Sequence, residues 1–290
     1  MTRRESLPLL TSLALVPVAR AAELEARELK IVFIAYENPD QLLDDVKPVL
    51  AYLKKELKLA NLKHFVATDY AGVVEALKAK RADMGFMGPL QYVLAHEQAG
   101  AIPIVGEVYN GKPTYTARIF VHKDSGLKRI EDLRGRSIAF VDPISSSGYL
   151  YPLEVFKRAR LIGGADEAQK FFKKLFFAGG DEQAIRAVLN KFVDAAGIGQ
   201  YAHDLLRPDE RDDIVHIAES QPIPSHCAVV RKDLNPKTVT ALQNALLALN
   251  KGPNQKLLKN LYNVDGYVKV THAEYEETAR IAKAYGFVKR

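Results

Sequence analysis

Cysteine is almost absent from this sequence, which has 290 residues and a single thiol, Cys227. One cysteine excludes an internal disulfide bond and a zinc site built from cysteines. Runs of lysine or arginine are also missing, and the formal net charge of +6 is dispersed along the chain. Nucleic-acid binding is therefore not indicated. Hydrophobic residues make up 48% of the chain, which is enough for one or two domains with their own cores.

Sequence motifs of catalysis and metal binding are missing as well. There is no G-x-S-x-G elbow, and the seven histidines include no H-x-x-x-H pair. No lysine follows the serines at 145–147, so this stretch is not a nucleotide-binding P-loop. Cys227 lies in the apolar run "HCAVV", where an inert buried thiol is expected. We expect neither an enzyme nor a metal or cofactor site.

Long apolar segments are missing except at the N-terminus, which reads "MTRRESLPLLTSLALVPVARAAELEA". Two arginines precede an apolar stretch that is too short to span a bilayer, and Ala19-Arg20-Ala21 has the spacing that a signal peptidase recognises. We predict a signal peptide at 1–21, cleaved near Ala21, and a soluble periplasmic protein. The paired arginines leave Sec and twin-arginine export both open. The alternative is an apolar N-terminal helix of the fold.

Short apolar runs alternate with amphipathic runs along the rest of the chain. "LKIVFIAY" is typical of a strand and "LLDDVKPVLAYLKKEL" of a helix, and the same order recurs several times. This alternation predicts an α/β fold with parallel-type sheets flanked by helices. Three helices are predicted to finish the chain, at 235–250, 253–262 and 272–285.

Two breaks in the pattern predict two lobes. One break is near 110–120, and the other contains the two prolines of "SQPIPSH". We expect one lobe to hold residues 22–115 and 225–290, and the other to hold 116–224. Two chain crossings would form a hinge, and two hinged lobes would enclose a cleft. The alternative is one large α/β sheet without such motion.

The stretch "SIAFVDPISSSGYLYPLEVF" joins a predicted strand to a predicted helix. It places Ser145, Ser146 and Ser147 at the helix start, where free backbone N–H groups and the helix dipole favour an anion. Taken alone, the stretch favours a simpler interpretation, in which one serine caps the helix and the others are solvated. Loops at Asp69-Tyr70, Gly88-Pro89 and Gly179-Gly180-Asp181 follow other strands and would converge on the same edge of the sheets.

Several segments resemble the phosphonate- and phosphite-binding proteins of ABC importers, a branch of the type II periplasmic binding proteins. They are "DYAGVVEAL", "RADMGFMGPLQYVLA", "TARIFVHKDSGLKRIEDLRGRSIAF", "DPISSSGYLYP", "AGGDEQAIRAVLNKFVDAA" and "IPSHCAVVRKDL". These segments occur in the family's order over about 29–235. The element Asp-Pro-x-Ser-[Ser/Thr]-Ser-Gly is the most specific of them.

The resemblance implies a two-lobe fold with mixed sheets, flanking helices and a hinged cleft. It also implies a monomer that captures a small oxyanion and delivers it to an ABC permease in the inner membrane. The ligand-binding residues that it implies are Tyr70, Tyr115, Ser145, Ser146, Ser147 and Gly148, with Tyr36 as a looser match.

Two departures from the family pattern bear on the ligand. Family members that bind aminoalkylphosphonates hold the ammonium group with acidic side chains, and Tyr201 and His226 occupy those positions here. A phenol and an imidazole pair poorly with an ammonium group. The family's histidine is replaced by Gly180, followed by Asp181, which could accept a hydrogen bond from a protonated oxyanion. Phosphite, phosphate or an alkylphosphonate such as methylphosphonate therefore fits better than an amine-bearing ligand.

Two alternatives to transport stay open at this point. A protein of the same fold could present an oxyanion or arsenite to a membrane histidine kinase, and arsenite-sensing relatives use a cysteine, so Cys227 is relevant. A periplasmic hydrolase could use a serine among 145–147 as nucleophile, with His226 as the base.

Overall fold

The computed structural model describes residues 28–34 and 39–288. The predicted signal peptide and Tyr36 lie outside these residues. Within the described ranges, no helix combines the length and the apolar character needed to cross a bilayer.

The first sheet, sheet A, has six strands and is covered by helices on both faces. In spatial order, the strands are β13 (Gly266–Lys269), β4 (Ile102–Val108), β12 (Cys227–Val230), β3 (Met84–Met87), β1 (Glu28–Ile34) and β2 (Asn61–Ala67). β1 pairs in parallel with β2 and β3, whereas β12 runs antiparallel to β3 and β4. Helices α2 (Tyr70–Lys78) and α3 (Pro89–Ala99) pack on one face, and α1 (Pro39–Glu56) and α8 (Pro236–Ala248) pack on the other.

The second sheet, sheet B, has five strands and its own core. In spatial order, the strands are β10 (Ile214–Glu219), β6 (Ala117–His122), β9 (Ala195–Gly199), β7 (Ser137–Phe140) and β8 (Lys174–Phe177). β7 is parallel to β8 and β9, and β6 is antiparallel to β9 and β10. Its helices are α4 (Tyr151–Arg158), α5 (Ala165–Phe171), α6 (Asp181–Leu189) and α7 (Pro208–Arg211). The expected mixed α/β fold is confirmed.

Two short strands lie where the chain passes between the sheets. β5 (Thr114–Tyr115) and β11 (Ile223–Pro224) pair antiparallel, one just before sheet B begins and one just after it ends. The boundaries expected at 115/116 and 224/225 stay predictions; the ribbon lies at the two chain crossings where the expected hinge would be.

The C-terminal part differs from the three predicted helices. A 3₁₀ helix (Gly252–Asn260) follows α8, and β13 then pairs antiparallel with β4. A second 3₁₀ turn (His272–Tyr275) leads into α9 (Glu276–Ala284). The sequence did not reveal β13 because it has only four residues and owes its extended form to pairing with β4.

The two sheets present equivalent edges to one another. In sheet A the carboxyl ends of β2 and β3 lead to Tyr70 and Gly88, and in sheet B the end of β9 is Gly199. All three residues line one cavity, together with the serines that follow β7. This is the position at which α/β sheets commonly bind ligands.

Candidate functional site

A cavity of about 550 Å³ lies between the edges of sheets A and B. Gly148 does not line it, and Tyr36 lies outside the described residues. The predicted site residues that line the cavity are Tyr70, Tyr115, Ser145, Ser146, Ser147, Asp181, Tyr201 and His226. Residues from both sheets and from the two-stranded ribbon therefore meet in one place.

The serine turn is built by local hydrogen bonds. After β7, the Asp142 carboxylate accepts a hydrogen bond from the Ile144 N–H (2.8 Å), which turns the chain. The Ser145 hydroxyl then accepts from the Gly148 N–H (3.0 Å) and caps a π-helical turn, Ser146–Leu150, that continues into α4. All three serines are nearly fully buried. A polar, capped helix start thus lies at the cavity wall.

Gly148 has a packing role behind the serines. A Cβ atom at this position would lie 2.4 Å from Val141 Cγ2 and 2.8 Å from Ser145 Oγ. The Gly148 carbonyl also accepts a hydrogen bond from the Val141 N–H (2.8 Å). Glycine is needed here because the turn folds back on the residue that follows β7.

Ser146 makes a contact that the sequence did not indicate. Its hydroxyl accepts a hydrogen bond from the Leu90 N–H (2.8 Å), in the first turn of α3 beside sheet A. The N-cap residue of α3 is Gly88, which has no side chain to satisfy this N–H group. Ser146, in the turn that follows β7 of sheet B, therefore supplies part of the cap of a helix on the opposite side of the cleft.

Tyr115 contributes a buried hydroxyl at the junction between the sheets. Burial raises the pKa of Tyr115, whereas the neighbouring Ser147 side chain lowers it. The two hydroxyls do not meet hydrogen-bond geometry, and the Tyr115 hydroxyl has no partner within residues 28–34 and 39–288. The Tyr115 ring stacks on His226, with centroids 5.3 Å apart.

Asp181 places a carboxylate at the same cavity. It is the first residue of α6, and its Oδ1 accepts a hydrogen bond from the Gly199 N–H at the end of β9 (3.2 Å). A Cβ on Gly199 would lie 3.2 Å from Ser147 Oγ and 3.6 Å from Asp181 Oδ1, so the carboxylate and the serine turn are neighbours. The site therefore offers an acceptor beside its donors.

Gln91 supports the opposite wall, and sequence reasoning missed it. The side chain is 1% exposed; it accepts from the Gly88 N–H (2.8 Å) and donates to the Tyr70 carbonyl (3.1 Å). Tyr70 begins α2, and burial together with the nearby Asp181 charge raises its pKa. Gln91 thus fixes the starts of α2 and α3 relative to one another.

The cavity carries little positive charge. Among its described lining residues, Lys259 is the single lysine or arginine, and its ammonium group lies 3.0 Å from the Asp265 carboxylate. Tyr201 lies farther along the wall against Tyr109, with ring centroids 5.6 Å apart. The serine turn of the ligand-free protein therefore offers neutral donors, with no lysine or arginine among the described lining residues other than Lys259.

Cys227 is buried, as predicted, and burial raises the pKa of its thiol. The described residues include no group of three or more His, Cys, Asp and Glu side chains that could hold a metal ion.

Comparisons with known proteins agree with this architecture. Residues 31–275 match a family model described as the phosphonate periplasmic substrate-binding protein of ABC transporters. The chain is 29% identical over 184 residues to the phosphate-import protein PhnD of Mycolicibacterium smegmatis, an alignment that covers 62% of this chain and 57% of that protein. It is 28% identical over 243 residues to the phosphonates-binding periplasmic protein of Escherichia coli, covering 81% and 70%.

A solved structure shows the same fold. PhnD1 from Prochlorococcus marinus, determined in complex with methylphosphonate, superposes with a TM-score of 0.78 at 19% identity, covering 90% of this chain and 99% of that one. The family model covers most of the described residues, including the serine turn and both sheets. The chain therefore belongs to the family of phosphonate periplasmic substrate-binding proteins of ABC transporters.

Proposed function

We propose that this chain captures a small phosphorus oxyanion in the cleft between sheets A and B and delivers it to an ABC permease. The ligands that fit are phosphite, phosphate and alkylphosphonates. Family membership supports this proposal, and two relatives are named for phosphate import and for phosphonate binding. The protein would act as a monomeric periplasmic carrier without a cofactor, exported after cleavage near Ala21.

One observation carries the proposal: the buried Tyr115 hydroxyl without a partner, next to Ser147 at the cavity wall. A buried hydroxyl that makes no hydrogen bond is costly, and such groups are rare unless they serve a function. A ligand oxygen at the serine turn would satisfy it. The hydroxyls of Ser145 and Ser147 would donate to the same anion, with Tyr70 approaching from sheet A.

Asp181 would add selectivity for the protonation state. A carboxylate can accept a hydrogen bond from a P–OH group, but it repels a fully ionised oxyanion. Aminoalkylphosphonate binders of the family hold the ammonium group of the ligand with acidic side chains. Tyr201 and His226 occupy those positions here, so a ligand without an amine is preferred.

Binding would be coupled to closure of the cleft. An anion held by Tyr70 on one side and by the serine turn on the other bridges the two sheets. It therefore binds the closed arrangement more tightly and shifts the equilibrium towards it. The permease would recognise this closed form.

The alternatives receive less support. The comparisons point to transport proteins, and the burial of Cys227 does not favour capture of arsenite by its thiol. A hydrolase would need an activated serine, but the Ser145 and Ser146 hydroxyls accept hydrogen bonds from the backbone N–H groups of Gly148 and Leu90.

Isothermal titration of the mature chain with phosphite, phosphate and methylphosphonate tests the proposal. Ser147→Ala and Tyr115→Phe should each weaken binding about 10- to 100-fold, because each removes a hydrogen bond to a charged ligand worth about 1.5–3 kcal/mol. Tyr52→Phe is the control, since the Tyr52 hydroxyl donates to the Ala245 carbonyl on the outer face of sheet A. The assignment fails if the wild-type protein binds none of the three ions, or if both site variants bind as tightly as the wild type.

A further inference from the structure

Glu107 is a buried carboxyl group directly behind the wall of the cleft. It lies on β4, its side chain is 1% exposed, and it does not line the cavity. Its backbone N–H donates to the His226 carbonyl (2.8 Å), which ties β4 to the segment that enters β12. A lone glutamate in a strand is normally solvated, so its burial beside a ligand cavity calls for a physical explanation.

The carboxyl oxygens of Glu107 are unequally satisfied. Oε2 accepts a hydrogen bond from the Tyr109 hydroxyl (2.7 Å) and lies 3.9 Å from His226 Nδ1. Oε1 has no hydrogen-bond partner in the described part of the chain. The Glu107 charge raises the pKa of phenols and a thiol from several elements, which are Tyr109, Tyr115, Tyr262, Tyr267, Tyr275 and Cys227. The His226 imidazole is the other titratable group beside the carboxyl.

Burial drives the proton affinities of Glu107 and His226 in opposite directions. Desolvation raises the pKa of Glu107 to about 7 and lowers the pKa of His226 to about 4. At about pH 6 both groups are therefore neutral, with the proton on the carboxyl. Burial disfavours the charged form of each group alone. An imidazolium and a carboxylate side by side stabilise each other, so the two groups can be charged together as an ion pair.

The His226 ring connects Glu107 to the cleft. Its Nδ1 faces the carboxyl group, while its Cδ2–Nε2 edge faces Gly88, where a Cβ would lie 3.4 Å from Cδ2 and 3.5 Å from Nε2. Both Gly88 and His226 line the cavity, and the ring stacks on Tyr115. The 3.9 Å separation is too long for a hydrogen bond, but it places the carboxyl group beside Nδ1 while the Cδ2–Nε2 edge of the ring lies at the cavity wall.

We propose that Glu107 is a positioning residue that acts through His226, fixing the ring with Nδ1 inward and serving as its counter-charge when the bound anion draws a proton onto the ring. The proposal rests on the proposed function, since it requires an oxyanion at the cleft. In the complex the imidazolium would donate Nε2–H on the cavity side and Nδ1–H to the ionised Glu107, shortening the 3.9 Å separation. Asp181 would still favour a protonated oxyanion, and the positive charge on His226 would offset part of its repulsion of the bound anion.

The proton balance depends on pH. Near pH 6 the proton moves from Glu107 to His226, so binding takes up no proton from solvent through this pair. Near pH 8 Glu107 is already ionised, and His226 takes up to one proton from solvent. Proton uptake on binding should therefore increase from pH 6 to pH 8.

Two measurements on the full mature chain with methylphosphonate test this. ¹⁵N NMR of histidine-labelled wild-type protein, with His226 assigned from His226→Gln, should show a neutral ring without ligand and an imidazolium in the complex. Titration in buffers of different ionisation enthalpy should show net proton uptake at pH 8. In Glu107→Gln the ring should stay neutral, the uptake should fall to that of the ligand alone, and affinity at pH 8 should drop about tenfold.

Glu154→Gln is the control, because Glu154 is also buried but lies on α4 and pairs with Arg158 (3.5 Å). It should leave the His226 spectrum unchanged. A neutral His226 ring in the wild-type complex at both pH values would overturn the proposal, and that measurement does not depend on the folding of any Glu107 variant. Absence of binding by the wild-type protein would instead refute the proposed function.

Discussion

Each of the three serines of the motif has a different environment, although their side chains are identical. The Ser145 hydroxyl caps its own turn, the Ser146 hydroxyl caps a helix on the other side of the cleft, and Ser147 lies against Tyr115 and Gly199. Substitution of Ser145 should therefore alter the shape of the turn as well as one ligand contact, substitution of Ser146 the closure of the cleft, and substitution of Ser147 direct contact with the ligand.

The glycine that ends the motif gives a prediction about packing. Gly148→Ala should destabilise the protein by about 1–3 kcal/mol, because its Cβ would overlap Val141 and displace the turn. Ligand affinity should fall in parallel, since Gly148 N–H positions Ser145. Urea denaturation and titration calorimetry measure the two effects. Gly164→Ala is the control, because a Cβ there meets no atom within 4 Å; equal stability of both variants would contradict the packing role.

Most of the predicted site residues do line the cleft, but Glu107 and Gln91 were not predictable from the sequence. The serines and Tyr115 were recognisable because they belong to a specific motif or an aligned position. Glu107 stands in "IPIVGEVY", a strand-like run in which a single glutamate is ordinarily solvated. Its burial is a tertiary property, because β4 is an inner strand of sheet A and the side chains of Tyr109, Tyr262 and Tyr267 lie near the carboxyl group.

At the scale of elements, the start of α3 depends on the opposite side of the cleft. Gly88 leaves the first turn of α3 without a capping side chain, and Ser146 supplies the missing acceptor. The predicted strand–helix order placed Pro89 correctly at the start of this helix. The shared cap was not predictable, since it requires the relative placement of the two sheets.

Ser146→Ala should therefore shift the ligand-free protein towards a more open cleft. Loss of a hydrogen bond worth about 0.5–1.5 kcal/mol changes the ratio of open to closed molecules about 2- to 10-fold. Electron–electron distance measurements can detect this, with spin labels on the exposed positions of Lys55→Cys in α1 and Lys170→Cys in α5. The native thiol of Cys227 is buried and should not compete for the label.

Ser145→Ala serves as the comparison for this experiment, because the Ser145 hydroxyl contacts the Gly148 N–H within its own turn. It should leave the distance distribution of the ligand-free protein close to that of the wild type. A distribution in Ser146→Ala that matches the wild type would show that the contact with Leu90 does not hold the cleft closed.

At the scale of the whole molecule, α9 forms a further link between the two sheets. It packs against α3 beside sheet A, and Thr278 forms a buried hydrogen bond with Tyr151 of α4 beside sheet B (2.8 Å). Glu277 of α9 lies 3.9 Å from Arg158, and the ammonium group of Lys157 lies 4.7 Å from the centre of the Tyr285 ring. The sequence predicted a helix here but not that it would contact both halves of the molecule.

This link should limit how far the cleft opens, and Thr278→Val tests it. Valine keeps the shape of threonine but leaves the Tyr151 hydroxyl buried without its partner, at a cost of about 1–3 kcal/mol. We expect faster hydrogen exchange in α9 and a larger radius of gyration by X-ray scattering for the ligand-free protein. The radius with methylphosphonate bound should stay unchanged, because the ligand then holds the two sheets together.

Thr240→Val is the control: it makes the same substitution at a position that does not link the two sheets. The Thr240 hydroxyl is exposed on α8 and donates to the Pro236 carbonyl of its own helix (3.0 Å). It should alter neither exchange in α9 nor the radius of gyration. If Thr278→Val also leaves both quantities unchanged, α9 packs across the sheets without restraining them, and the amplitude of opening must be set by the ribbon of β5 and β11 alone.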